Sequence, residues 1–248
     1  YGFMVYCKDE LNNNTATRAR KTSTLRIFFK YMSVQTHRLE TNPAELLESP
    51  KVKQSLPKHL TLENSLDLLN AVDGANERRD YCILTLFLNC GLRLSELCGL
   101  NLSDISTDGI ITVTGKGNKE RSVYLNDSCK TAIKRYLEVR PNEGLPVTEK
   151  NALFISRNHR RLSPKTVQYI VKTTLAKAGL GGQGFSTHKL RHTAATLMYQ
   201  HGNVDIRVLK DILGHSNLGT TQIYTHVSDK QIKRAVDSNP LSSVKDNK

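Results

Sequence analysis

One stretch restricts the fold more than any other. "IITVT" (110–114) and "RSVYL" (121–125) are β-branched or alternating runs joined by "GKGNKE", a glycine-rich turn. Such a pattern predicts an antiparallel hairpin, and "ALFIS" (152–156) offers a third short strand. The other patterned segments have helical spacing. The expected class is therefore mainly α with a small antiparallel β-sheet, an α+β arrangement.

The helical segments fall on both sides of that hairpin. In "TATRARKTSTLRIFFKYM" (15–32), Leu25, Phe28, Phe29 and Met32 keep the spacing of one apolar face, and Arg20, Arg26 and Lys30 lie away from it. "ESPKVKQSLPK" (48–58) has two prolines, two serines and no apolar period, the composition of an exposed linker. Beyond it, Thr61 is placed to cap a helix with Leu62, Leu66 and Leu69 on one side. An apolar helix over 79–90 stops at Gly91. Ser163-Pro164 forms an N-cap and N1 pair ahead of Val167, Ile170, Val171 and Leu175. A helix from about Thr187 to Gln200, with Leu190, Ala194, Leu197 and Met198 as its buried stripe, stops at Gly202, and a shorter one ends at Gly214. The implied organisation is a helical segment at 1–50, a linker at 51–58, a second, larger domain at 59–240 and a tail at 241–248.

The 248 residues carry 36 Lys and Arg against 23 Asp and Glu, a net charge of +13, which points to a polyanionic partner, nucleic acid ahead of membrane. No run approaches the roughly 18 apolar residues of a membrane span, and without a charged n-region followed by an apolar h-region nothing suggests secretion. Cys82, Cys90 and Cys98 lie among apolar residues and read as buried thiols of a cytosolic protein. The histidines, among them His188, His192, His201, His215 and His226, do not combine with Cys or carboxylate into a convincing metal set, so no metal is expected.

Candidate chemistry concentrates in the second half. His188 and Arg191 sit at i and i+3 near a helix start, where free N–H groups already favour an anion. Further on, "LGHSNLGTTQIYTH" combines a glycine stop, His215 and Tyr224.

Together, "CGLRLSEL", "TGKGNKER", "THKLRH", "LGHSN" and "TTQIYTH" occur in an order and spacing that resembles the tyrosine recombinases, the phage integrase family. The wording is most similar to Xer-type recombinases and mobile-element integrases, and the resemblance runs from about Leu60 to Asp237. It implies a tyrosine-recombinase catalytic domain and places the active set on Arg93, Lys116, His188, Arg191, His215 and Tyr224, with Glu96 supporting the site without reacting. Family members carry a longer helical core-binding domain than the roughly 50 residues preceding the linker here. Together with the opening Tyr1-Gly2-Phe3, this suggests a fragment.

The chemistry implied by the resemblance is conservative strand exchange. Attack on a phosphodiester builds charge on its non-bridging oxygens, which Arg93 and Arg191 suit as planar forks of donors. His215 adds a hydrogen bond, His188 serves as general base and Lys116 protonates the departing 5′-oxygen. Tyr224 becomes joined to the DNA 3′-phosphate, so neither ATP nor any other cofactor is required. The implied partners are double-stranded DNA with a specific recombination site, further copies forming a tetramer on DNA, and an accessory or partner recombinase. The implied location is cytoplasmic and nucleoid-associated. Two alternatives share parts of this reading: a type IB topoisomerase working on one duplex, and a DNA-binding protein with an inactive site. In the family, the segment after the tyrosine commonly reaches a neighbouring protomer. The strip Ile232, Ala235, Val236, with Leu241 and Val244 beyond Pro240, is therefore expected to dock in trans, with docking onto its own domain as the alternative.

Overall fold

The computed structural model describes residues 2–52, 58–115, 120–202, 208–209, 212 and 236–242. It divides into two compact units, Tyr1–Leu56 and Pro57–Lys248.

The first unit is built on two helices, α1 (Gly2–Asp9) and α2 (Thr15–Lys30), the second running on into a π-helical turn at Tyr31–Gln35. Asn14 starts α2 by accepting a 2.8 Å hydrogen bond from the Thr17 N–H, satisfying one of the donors a helix start leaves open. The side of α2 turned inward centres on Thr22, which is fully buried beside Met4 of α1. Leu25, Phe29 and Met32 flank it and are half-buried, whereas Phe28, expected on the same face, is exposed. Two short helices cover only a narrow arc, and Phe28 falls outside it. Arg20, Arg26 and Lys30 are exposed as expected, but their side is not purely cationic, since Ile27 and Tyr31 are exposed as well.

The second unit is organised around α4 (Glu77–Cys90), in which every residue from Cys82 to Cys90 is buried. A helix apolar on all sides must be enclosed, and α3 (Leu62–Asn70), α6 (Asp127–Leu137), α7 (Pro164–Lys177) and α8 (Thr187–Gly202) all pack on it. Thr61 caps α3 through the Asn64 N–H, and Ser163 caps α7 through the Thr166 N–H, as their sequences predict. Because α3 meets both α4 and α7, the residues it buries are Ser65, Leu68 and Leu69, with Leu62 and Leu66 only half-covered. The expected faces of α7 and α8 are buried at every named position.

The hairpin forms from β1 (Ile110–Thr114) and β2 (Glu120–Tyr124), antiparallel and in register from Ile110 opposite Tyr124 to Thr114 opposite Glu120. The third strand does not form. Residues 152–155 are buried, yet they make only isolated bridges, Asn101 with Ala152 and Ile155 with Arg161. Their backbone groups are met partly by loop backbone, the Leu153 N–H donating to the Leu100 carbonyl and the Leu162 N–H to the Phe154 carbonyl, and partly by side chains. The Arg140 guanidinium donates to the carbonyls of Ala152 and Leu153, and the Ile155 N–H donates to the Tyr136 hydroxyl.

Residues 236–242 pack onto their own unit. Val236 joins Ala194 and Met198, and Leu241 lies in the main core. Asn239 donates to the Leu88 carbonyl at 2.9 Å, and the Ser128 N–H donates to the Ser242 carbonyl at 3.1 Å. The Val236 and Leu241 parts of the expected trans-docking strip are therefore placed in cis, and Leu241 belongs to the core, not to a separate tail. The cysteines predicted to be buried are so, and Cys7 and Cys129 join them.

Candidate functional site

A buried carboxylate gathers three arginines from three elements. Gly91 ends α4 in the left-handed region (φ 59°), its N–H bonded back to Phe87, and so turns the chain abruptly into Arg93. Arg93 is the N-cap of α5 (Leu94–Gly99), and Glu96, three residues on, accepts the Arg93 backbone N–H at 2.8 Å. That bond is half of a capping box, and it brings the Glu96 carboxylate beneath its own helix start. Glu96 is fully enclosed at its side chain.

The first guanidinium on this carboxylate is that of Arg93, whose Nη1 lies 2.6 Å from Glu96 Oε1. Arg121 of β2 places Nη2 2.7 Å from Oε2. Arg191 of α8 lies 3.8 Å from Oε2 and donates from Nη1 to the Gly91 carbonyl at 2.7 Å. The turn that aims Arg93 is thus held by Arg191, and one carboxylate faces three cations. Burial, and then the neighbouring Arg93, pull Arg191 down to about 10, while Glu96 opposes the shift. Arg191 remains cationic at neutral pH. Arg121 is also lowered, chiefly by burial, with Glu96 again opposing. The cluster carries excess positive charge in a largely enclosed setting, where an anion is worth more than in water.

His188 and Arg191 are both near the start of α8, but their surroundings differ. Arg191 is buried among the arginines, whereas His188 is exposed. The Nε2 atom of His188 lies 3.1 Å from Nε2 of His192, and the two rings meet edge to face at 4.6 Å. Lys116, His215 and Tyr224 lie outside the described residues. The structure thus brings together Arg93, Glu96 and Arg191, and sets His188 at the exposed rim of the same helix.

Two members of this neighbourhood were not anticipated. Arg121 could have been found from alternation, because Arg121, Val123 and Leu125 occupy every second position along β2 and the residue just after it, and the last two are buried. A charge on an inward-facing strand position needs a buried partner. His192, one helical turn after His188, carries no such signal.

The model of the phage integrase family matches residues 58–231. The chain belongs to that family. It is similar to tyrosine recombinase XerC of Caldanaerobacter subterraneus subsp. tengcongensis, 54% identical over 242 residues, covering 98% of this chain and 68% of the relative. It is also similar to tyrosine recombinase XerD of Proteus mirabilis, 39% identical over 218 residues and covering 87% and 69% of the two chains. Among solved structures, XerA recombinase is 27% identical with a TM-score of 0.60, covering 93% of this chain and 78% of that one. XerH recombinase, in a post-cleavage complex with palindromic difH substrate, shares the fold at a TM-score of 0.73 and 23% identity, covering 95% and 70%. The chain is a site-specific tyrosine recombinase. Among the described residues no helix is long and apolar enough to cross a membrane.

Proposed function

We propose that this recombinase cleaves double-stranded DNA at a specific site with Tyr224 as nucleophile, and that Arg93 and Arg191 hold the non-bridging oxygens of the reacting phosphate. Tyr224 Oη forms a bond to phosphorus, the bond to the 5′-oxygen breaks, and the product is a 3′-phosphotyrosyl link beside a free 5′-hydroxyl. Lys116 gives a proton to the departing oxygen, His188 assists removal of the tyrosine proton, and His215 adds a hydrogen bond to the phosphate. A tyrosine anion at pH 7 costs about 4 kcal/mol relative to the phenol. Two guanidiniums in an enclosed site offset much of that.

The observation that supports this reading best is the single carboxylate that pairs with Arg93 and lies 3.8 Å from Arg191. Glu96 is then a positioning residue, not a reacting one. Arg20, Arg26 and Lys30 are exposed on α2 and suited to phosphate contacts along the duplex. The XerH complex with difH supports action on DNA, and the proposed reaction joins two DNA sites held by four protomers. A second, partner recombinase is part of the same proposal, with chromosomal resolution or element mobility as the outcome.

The test is covalent trapping. Nicked duplexes of randomised sequence, incubated with the protein and resolved by denaturing gel, should yield adducts whose DNA defines the site. Peptide mapping should find the DNA on Tyr224, and Tyr224→Phe should form no adduct while binding the recovered duplex normally. An adduct mapped to another residue would remove Tyr224 from the mechanism.

A further inference from the structure

We propose that Asn239 is a positioning residue for the phosphate-holding arginines: it caps the end of α4 and so fixes the turn that aims Arg93. This rests on the reading of Arg93 and Arg191 as ligands of the reacting phosphate given above. The last turn of a helix leaves carbonyls that its own N–H groups cannot reach. In α4, the Phe87 carbonyl is met locally, by the Gly91 N–H at 3.2 Å. The Leu88 carbonyl is met from 151 residues away, by Asn239 Nδ2 at 2.9 Å. Three residues further on, the Gly91 carbonyl accepts Arg191 Nη1 at 2.7 Å, and Arg93 follows two residues later. The backbone entering the turn is held by Asn239, and the turn itself by Arg191.

Asn239 is itself held in place. Its Oδ1 accepts the Leu241 N–H at 3.0 Å, which leaves the amide nitrogen to reach α4. Beside it, Asn126 at the start of α6 donates to Asn89 Oδ1 at 2.9 Å and to the Val236 carbonyl at 3.4 Å. Asn89 in turn donates to the Thr85 carbonyl within α4. Asn89, Asn126 and Asn239 are all buried. Enclosing three amides in an apolar core is costly unless each is hydrogen-bonded, and packing alone would be served as well by leucine. A satisfied buried network instead holds one arrangement. Here that arrangement joins residues 236–239 to the last turn of α4, directly before the turn to Arg93. A displacement of about 1 Å in a group that bears on the reacting atoms is enough to slow a reaction by about 100-fold.

The experiment compares two charges at the reacting phosphate of the duplex recovered by trapping. An ordinary phosphodiester starts with one negative charge and builds more on its non-bridging oxygens during attack. A methylphosphonate at the same position has a methyl group in place of one non-bridging oxygen and starts neutral, so the exact placing of the guanidiniums matters less. In single-turnover cleavage, Asn239→Ala should be slower than the parent protein by about 10- to 100-fold on the phosphodiester. On the methylphosphonate the two proteins should agree within about threefold. Arg93→Ala, run alongside, should show the same convergence. If Arg93→Ala stays slow on the methylphosphonate, or the parent protein does not cleave it, the phosphate-holding reading fails and takes this inference with it. If Arg93→Ala converges but Asn239→Ala remains slow on both substrates, or is normal on both, the inference fails while Arg93 keeps its role. Should Asn239→Ala not fold, by thermal melting, Asn239→Ser is read on the same two substrates by the same criteria. Its hydroxyl keeps a polar group at that position but is too short to reach the Leu88 carbonyl.

Discussion

Glu96→Gln isolates what the buried carboxylate does. Gln matches Glu in shape but has no charge, and its amide presents a donor where one carboxylate oxygen accepted. One side-chain oxygen can still receive Arg121 and the Arg93 N–H, but the amide nitrogen then faces Arg93 Nη1, now 2.6 Å from Oε1, donor against donor. Removing one partner of a buried ion pair costs about 3–5 kcal/mol, because the remaining charge stays enclosed and unbalanced. The low end applies here, since the Arg93 side chain is 34% exposed and water screens its share. At about 2–4 °C per kcal/mol for a domain of this size, the melting temperature should fall by roughly 6–12 °C. Thermal unfolding of the full chain by circular dichroism measures this without DNA.

A second variant makes the electrostatic origin testable. In the Glu96→Gln background, Arg191→Met removes one of the cations left unbalanced, so it should stabilise that background by at least about 1 kcal/mol more than it stabilises the parent protein. A shift smaller than about 2 °C for Glu96→Gln, or an Arg191→Met effect equal in the two backgrounds, would refute the reasoning. The site would then be held by packing, with the carboxylate incidental.

Other expectations follow from the same geometry. Arg191→Met alone should abolish cleavage yet raise stability. Burial depresses its folded pKa to about 10, so at neutral pH the folded state carries a cation that the unfolded state holds more cheaply. That cost is about 3 kcal/mol, present below pH 10 and relieved only as pH rises through 10 toward the ordinary arginine value. Losing the donor to the Gly91 carbonyl returns about 1 kcal/mol, so calorimetry should show a net rise of about 2 kcal/mol, and a lower melting temperature would contradict it. Leu241→Ala should destabilise the isolated chain by about 2–5 kcal/mol in the absence of DNA, because Leu241 is fully buried in cis. An unchanged melting temperature would return that segment to docking in trans. Replacing Arg20, Arg26 and Lys30 together by Ala should weaken DNA binding and flatten its log–log salt slope by about 3, roughly one per lost phosphate contact; an unchanged slope would make that face merely solvated.

What could be read from the chain in advance was whatever depends on local chemistry. Ser163-Pro164 caps α7 because a hydroxyl and a fixed φ suit a helix start in any context. Val167, Ile170, Val171 and Leu175 face inward because their spacing leaves them no other shared side. The hairpin was likewise local, read from two short β-branched or alternating runs, although its pairing reaches Glu120, which the sequence assigned to the turn. Errors arose where the decision lay elsewhere in the molecule. "ALFIS" has the composition of a strand, but Arg140, Tyr136 and the loop backbone at Leu100 and Leu162 share out its backbone groups. Phe28 has helical spacing with Leu25 and Phe29, yet the packed arc of α2 is chosen by α1. On α3, the small Ser65 is buried and Leu62 only half-covered, because two neighbouring helices close over a side that propensity alone does not single out.

The site divides along the same line. Arg93 and Glu96 are three residues apart, so their ion pair is a local consequence of starting a helix with one and placing the other in its first turn. Arg191 and Arg121 reach that pair from about 100 and 25 residues along the chain, and nothing local announces that they converge. Their convergence is unfavourable in itself. Two unit positive charges about 4 Å apart at an effective dielectric of 20 repel by about 4 kcal/mol. A site that must present guanidiniums to a phosphate before the phosphate arrives therefore needs a fixed anion behind them. Glu96 meets that need from the enclosed side, where it cannot compete for the space in front. It also explains why Glu96 itself need not react: its oxygens are already engaged by the guanidiniums.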